Sequence, residues 1–224
     1  MRKLFRISAL AALALGMTAL TAEAQRAKTF GIVAGVDFAN VSGDDISEGT
    51  SSKTGFMGGF FVGLPIGTNV DIEPEILYAM KGAKYDNEFF KGQYKFDYIE
   101  IPVLFKYNFQ PEGGVYALAG PAVGFNVSCK DQGDYVGSLV TSTGRNPALS
   151  LSSAAYDYDE SCEDQGAKAN TTFGGVLGLG FKKGRVGIEG RYDFDFGDAI
   201  QDKETGENYN VKNNVWAILI RLSK

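Results

Sequence analysis

The chain is organised by an alternation of apolar and charged residues with a period of two. In residues 186–197, Ile188, Tyr192 and Phe194 fall on one face of an extended strand, and Arg191 falls on the other. Successive side chains of a β-strand point to opposite faces, so this pattern predicts strands rather than helices. The same alternation, weaker in places, predicts eight strands, near residues 29–41, 54–66, 70–81, 99–109, 115–130, 171–182, 186–197 and 215–222.

The connections between these strands alternate in length. Short connections are predicted at 67–69, 111–114 and 182–185, and longer ones at 42–53, 86–92, 131–167 and 200–211. This alternation is typical of outer-membrane barrels. It predicts an all-β fold, an eight-stranded antiparallel up-and-down transmembrane β-barrel with short periplasmic turns and longer outer loops. A soluble β-sandwich with the apolar faces inward has the same period and is the alternative.

Three features favour the membrane barrel. Aromatic residues such as Tyr107, Phe109 and Phe196 lie toward the ends of the apolar faces, as interfacial girdles do. The apolar stretches have the length of a tilted membrane strand, about 9–11 residues. The ionic faces are rich in glycine and carry both signs of charge. The apolar faces are therefore predicted to contact lipid, through Ile99, Ile101, Val103, Phe105, Ile188, Tyr192, Phe194, Trp216, Ile218 and Ile220.

The ionic faces are then predicted to point into the barrel. Eight strands leave an interior just wide enough for side chains to fill it, so no open channel is expected. Buried charges persist when they are paired, which predicts an ionic network centred on Arg191 and Arg221. Its members are Glu73, Glu75, Glu100, Lys106, Glu189, Arg191, Asp193 and Arg221. With Asp37, Asp71, Asp195 and Lys81 added, acids outnumber bases inside, and the excess carboxylates are protonated, linked by water or bound to a cation.

The first 24 residues have the pattern of a secretory signal peptide. Basic residues precede an uncharged apolar run, and the small residues at 22–24 favour cleavage after Ala24. The barrel domain is therefore predicted to span residues 25–224. The whole chain has a formal net charge of −5, which argues against nucleic acid as a partner.

Histidine and cysteine usage limits the chemistry. The chain has no His, which excludes His-based nucleophilic catalysis and His-containing zinc sites. We therefore expect no enzyme activity, no cofactor and no metal. The two cysteines, Cys129 and Cys162, are predicted to form a disulfide after export to an oxidising compartment. Two unrelated thiols are the alternative.

The longest predicted loop, 131–167, is acidic and rich in Tyr. Its segment 157–164 has clustered carboxylates of the kind that bind Ca²⁺, but it lacks the ligand spacing and central Gly of an EF-hand loop. A solvated acidic tip, linked through Cys129 and Cys162, is the simpler interpretation. A Tyr-rich surface loop is also suited to recognition.

Several motifs in order along the chain resemble one known family. Residues 78–84 (YAMKGAK), 97–107 (DYIEIPVLFKY), 120–124 (GPAVG), 173–180 (FGGVLGLG) and 189–192 (EGRY) are similar to the PorT-like outer-membrane β-barrel family of Bacteroidetes-type Gram-negative bacteria. The resemblance implies an eight-stranded barrel in the cell outer membrane. The chain departs from the pattern in its last residues, Arg221 to Lys224, which lack a terminal aromatic, and in the enlarged loop 131–167.

These observations predict a non-enzymatic integral outer-membrane protein that acts structurally or as an interaction platform through its outer loops, especially 131–167. An accessory role in an outer-membrane protein-secretion machine is the alternative, implied by the member that gives the family its name. The expected partners are outer-membrane lipid, the barrel-assembly machinery and, for the alternative, secretion-system subunits.

Overall fold

The computed structural model describes residues 27–44, 50–86, 90–110, 113–140 and 151–224, so the predicted signal peptide lies outside the described residues. The strands in this part of the chain are β1 Thr29–Ser42, β2 Thr50–Pro65, β3 Val70–Asp86, β4 Phe90–Asn108, β5 Gly114–Val140, β6 Leu151–Ser161, β7 Ala167–Ala169, β8 Thr172–Lys183, β9 Val186–Asp195, β10 Ile200–Asp202, β11 Asn208–Tyr209 and β12 Lys212–Ser223. No helix among these residues is long and apolar enough to cross a membrane.

Eight of the strands form a closed antiparallel barrel. Their order is β4-β3-β2-β1-β12-β9-β8-β5, and β4 also pairs with β5, which closes the sheet. The first and last barrel strands pair directly, with Gly31 opposite Ser223 and Ser42 opposite Lys212. The predicted fold class is therefore confirmed. Both ends of the barrel sequence lie at the end that carries the short turns, here called the short-turn end, and the opposite end is called the long-loop end.

The two faces of the barrel wall differ in polarity as the alternation requires. Outward positions form an apolar band, with Trp216 63% and Ile188 54% exposed, while their charged neighbours point inward. All ten residues predicted to contact lipid lie on this outer face, and Ile99, Ile101, Val103, Tyr192 and Phe194 are half-buried between their neighbours. Residues 115–130 are apolar on both sides, and the structure turns Tyr116 and Leu118 inward and Val115, Phe125 and Val127 outward.

The predicted loop 131–167 is a β-hairpin over most of its described length. β5 continues to Val140 and pairs with β6, from Lys130 opposite Ser161 to Val140 opposite Leu151. The loop prediction was wrong here because this hairpin extends past the apolar band. Residues 131–134 and 157–161 of the hairpin are mostly polar in sequence, so the period-two signal disappears there. β3 and β4 also continue beyond their predicted ends, to Asp86 and back to Phe90.

A second small sheet covers the long-loop end. β10 pairs with both β7 and β11, within segments predicted to be loops. Asp202 holds the turn that follows β10, because its Oδ1 accepts hydrogen bonds from the backbone N–H groups of Glu204 (2.9 Å) and Thr205 (2.7 Å). A buried apolar cluster, the cap cluster, joins these segments to the barrel; it comprises Val41, Ala83, Phe96, Tyr98, Cys162, Ala199 and Val211. This burial of apolar side chains packs the small sheet against the barrel.

A cation placed on the outer face tests the assignment of the apolar band. Leu177 lies midway along the outward positions of β8 and is 53% exposed. If the band contacts hydrocarbon, Leu177→Arg should destabilise the barrel by about 2–4 kcal/mol, whereas Phe181→Arg near the strand end should cost only about 0–1 kcal/mol. The free energy of unfolding in lipid vesicles measures both. Equal small effects of the two substitutions would contradict the assignment.

Candidate functional site

The barrel interior contains a network of ion pairs nearest the short-turn end. Arg191 makes a bidentate contact with Glu75, with Nη1 2.8 Å from Oε2 and Nη2 3.2 Å from Oε1. The Nε of Arg191 also donates to Glu189 Oε1 at 2.9 Å. All three side chains are buried. Charge-assisted bidentate contacts of this kind fix geometry as well as charge, so Arg191 is held rigidly.

Arg221 connects the same acids to the neighbouring strands. Its Nη1 donates to Glu75 Oε1 at 3.0 Å and to Glu189 Oε2 at 2.9 Å, and its Nη2 donates to Glu73. Lys106 lies 3.4 Å from Glu73. These contacts define the arginine network, with the acids Glu73, Glu75 and Glu189 and the bases Lys106, Arg191 and Arg221. The three acids balance the three bases, as buried charges require.

Two aromatic rings that the sequence analysis missed complete this layer. The Arg221 guanidinium lies 4.0 Å from the centre of the Phe61 ring, and Lys106 Nζ lies 4.1 Å from the centre of the Tyr116 ring. The Tyr116 hydroxyl donates to Glu189 at 2.9 Å. Both rings need room, which glycines on facing strands provide: a Cβ on Gly31 would collide with Phe61, and one on Gly180 with Tyr116. The glycine-rich inner faces predicted a narrow interior without showing which rings fill it.

A separate polar cluster lies nearer the long-loop end. Lys81 Nζ is 2.5 Å from Glu100 and 3.5 Å from Asp195, and Asn213 donates to Asp195 at 3.0 Å. Glu100 therefore lies outside the ion pairs of Arg191 and Arg221, with which the sequence analysis grouped it. Glu100 pairs with Lys81 instead, because the alternation fixes the face of a side chain but not its height in the barrel.

Asp37 and Asp193 differ from the other interior acids. They are 0% and 4% exposed, and within the described residues neither carboxylate oxygen of either one has a hydrogen-bond partner. Lys53, a base that the sequence analysis missed, is also buried, and its Nζ donates to the carbonyl oxygens of Met80 (3.0 Å) and Lys81 (3.1 Å). In this layer Asp37, Glu100, Asp193 and Asp195 outnumber Lys53 and Lys81 by two. The interior excess of carboxylates is thus concentrated here.

The outer hairpin is linked to the barrel by the predicted disulfide. Cys129 on β5 is bonded to Cys162, which directly follows β6, with their Cα atoms 5.4 Å apart. Nearby, the Tyr85 hydroxyl donates to Asp131 at 2.7 Å and contacts the Tyr158 hydroxyl. Burial, followed by the hydrogen bonds to Tyr158 and Asp131, raises the pKa of Tyr85, so it stays a neutral donor. In the part of the chain that the structure describes, no three Cys, Asp or Glu side chains are grouped to hold a metal ion.

Two carboxylates face each other across the hairpin. Asp134 on β5 is opposite Asp157 on β6, and both are exposed. The shared hydrogen bond with Asp157 and the repulsion from its charge raise the pKa of Asp134 above its ordinary value of 3.8. One proton between the two acids therefore favours the paired hairpin.

Neutralising one interior acid at a time distinguishes paired from unpaired carboxylates. Glu75→Gln should destabilise the barrel by about 3–5 kcal/mol, because Arg191 and Arg221 would lose a negatively charged partner while remaining buried. Asp193→Asn, of similar size, should leave stability unchanged or raise it, because no hydrogen bond is lost. Urea unfolding followed by the fluorescence of Trp216, the single Trp, measures both. An equally large loss for Asp193→Asn would show that Asp193 has a partner.

The Asp134–Asp157 pair predicts how the hairpin responds to pH. Because the folded-state pKa of Asp134 is raised, its stabilising effect is complete below the unfolded value of 3.8 and is lost as pH rises through the folded value. Hydrogen-exchange protection factors of the β5 and β6 amides should therefore increase on acidification. Asp157→Asn should remove that dependence, and a pH response that persists in this variant would contradict the assignment.

The fold resembles solved outer-membrane proteins at low sequence identity. The attachment invasion locus protein Ail of Yersinia pestis aligns with a TM-score of 0.46 and 12% identity, over 89% of this chain and 100% of that one. Neisserial surface protein A aligns with a TM-score of 0.45 and 12% identity, over 88% of this chain and 99% of that one. OprG of Pseudomonas aeruginosa aligns with a TM-score of 0.40 and 12% identity, over 89% of this chain and 97% of that one.

Sequence comparison gives the family. No curated protein matches the chain. The family described as "Outer membrane protein beta-barrel domain" matches residues 23–201, which is most of the sequence. The closed barrel and its apolar outer band agree with that match. The chain belongs to the outer membrane protein beta-barrel domain family and is located in the outer membrane.

Proposed function

We propose that this protein is a non-enzymatic barrel that acts structurally or as an interaction platform through its outer surface. The observation that carries the proposal is the filled interior. The arginine network occupies one level of the barrel, the Lys81 cluster a second, and the cap cluster covers the long-loop end. The interior charges are held in ion pairs or buried, which suits a rigid support better than a channel or a catalytic cleft.

The outer hairpin is the part best placed for recognition. Its strands extend beyond the apolar band, and the disulfide holds its base to the barrel. Asp157, Asp159, Glu160, Glu163 and Asp164 are exposed there. Charge complementarity therefore favours a partner with a basic surface. In outer-membrane barrels the longer loops lie outside the cell, so this partner is expected at the cell surface.

Photocrosslinking in cells tests the platform. A photoreactive amino acid at Asp159, exposed on the hairpin, should give a discrete crosslinked species. The same group at Lys183, exposed at the end of β8 on the short-turn side, should not give that species. The same product from both sites, or none from Asp159, would contradict an outer-surface platform.

A conductance measurement tests the filled interior separately. The purified protein in planar lipid bilayers should show no steady channel opening, since the arginine network blocks the pore. A stable open conductance would contradict the proposal. Glu75→Gln, which weakens the arginine network, is the informative comparison if brief openings are seen.

The second candidate is an accessory role in outer-membrane protein secretion. It rests on the resemblance to the PorT-like family, whose first two motifs along the chain fall on neighbouring strands here. Tyr78 on β3 is opposite Ile99 on β4, and the Tyr78 hydroxyl donates to Asp97 at 2.8 Å. This role predicts that the species crosslinked to the protein is a secretion-system subunit, and that deletion impairs secretion. Normal secretion after deletion would remove this candidate.

A further inference from the structure

The short-turn end of the barrel contains a cavity that the proposed function does not use. Its volume is about 290 Å³, and its lining includes Asp71, Lys106, Tyr116, Lys182, Arg185 and Arg221. Short turns of outer-membrane barrels face the periplasm, so we call this cavity the periplasmic vestibule. The arginine network forms its floor, since Lys106 and Arg221 belong to both. A ligand would therefore enter the vestibule from the periplasm.

The charges around the vestibule do not balance. The arginine network is neutral as a group, with three acids and three bases. Lys182 and Arg185 add two positive charges at the opening, whereas Asp71 adds one negative charge and already accepts a hydrogen bond from Asn108 at 2.8 Å. The vestibule is therefore positive, at the end of the barrel opposite the acidic hairpin.

The lysines of the vestibule lining supply hydrogen-bond donors. Lys106 has three N–H donors, and one of them is directed to Glu73. The Lys182 side chain is half-buried, and its ammonium interacts with charges of both signs, from Lys106 and Arg221 and from Glu73 and Asp71. The Tyr116 hydroxyl donates to Glu189, so the donors that these groups offer to a ligand are those of the two lysine ammonium groups. A ligand that only accepts hydrogen bonds fits this lining.

We propose that the periplasmic vestibule binds a small oxyanion of the phosphate or phosphate-monoester class. Phosphate offers several acceptor oxygens and more than one negative charge, which suits the added charges of Lys182 and Arg185 together with Lys106 and Arg221 of the neutral arginine network. Two of these cations are nearly buried, Arg221 at 3% and Lys106 at 5% exposed, so water screens them little. The volume lies at the lower limit of ligand pockets, about 300 Å³, and therefore fits a small ligand.

Strand alternation supplies a matched pair of variants. Lys182 lines the vestibule, whereas Lys183, the last residue of β8, is exposed and is not part of the lining. Lys182→Gln and Lys183→Gln remove the same charge from adjacent positions. Neither residue belongs to the arginine network, so both variants should fold, which heat-modifiability on a detergent gel confirms.

Calorimetric titration of the full chain in zwitterionic micelles at low salt tests the proposal, with inorganic phosphate as the probe. Wild type should bind one phosphate. Lys182→Gln should weaken that binding about tenfold, equivalent to about 1.4 kcal/mol, and Lys183→Gln should leave it within about twofold. The absence of phosphate binding to wild type, or an equal loss in the two variants, would overturn the proposal.

A second arm identifies the source of the phosphate group. A short-chain phosphatidic acid, mixed into the same micelles, should compete with free phosphate if a lipid headgroup reaches the vestibule. If it does not compete, the ligand is a soluble periplasmic phosphate compound. Both results are consistent with a phosphate site in the vestibule. If Lys182→Gln does not change the binding of the lipid, the lipid binds at another place.

Discussion

Closure of the sheet is the constraint on which the rest of this structure depends. In hydrocarbon, each backbone N–H and C=O must find a partner within the protein, and a barrel provides one without leaving a free edge. The pairings of β1 with β12 and of β4 with β5 complete the ring. Once the ring is closed, side-chain direction follows from position in the strand, and polar residues can only point inward or lie beyond the apolar band.

Closure also determines the character of the interior. Eight strands enclose a space too narrow for bulk water, so each charge there needs a partner close by. The arginine network meets that need by sharing Glu75 and Glu189 between Arg191 and Arg221. Neither Asp37 nor Asp193 has a hydrogen-bond partner for its carboxylate within the described residues. The interior thus combines a rigid neutral layer with a layer that carries surplus negative charge.

The sequence predicted the barrel, its faces and the disulfide partners because a period of two and a pair of cysteines are local signals. It did not predict which charges pair, since Lys81 and Glu100 meet through strand register and side-chain reach. Lys53 was missed because β2 begins before its apolar alternation does. The cap cluster was missed for another reason: Val41, Phe96 and Ala199 come together from distant segments, and none belongs to a repeating pattern. The hairpin was interpreted as a loop because residues 131–134 and 157–161 show no apolar alternation.

The disulfide has a consequence for how the chain responds to proteolysis. Cys129 precedes the end of β5 and Cys162 follows β6, so every bond between Val140 and Leu151 lies inside the covalent loop that they close. A single cut at any of these bonds therefore produces a nicked chain whose two fragments remain joined through Cys129 and Cys162. The barrel strands on either side keep their pairing, and the protein stays in the membrane as a single covalent unit until a reductant separates the fragments. A single cut within this covalent loop thus releases no part of the barrel.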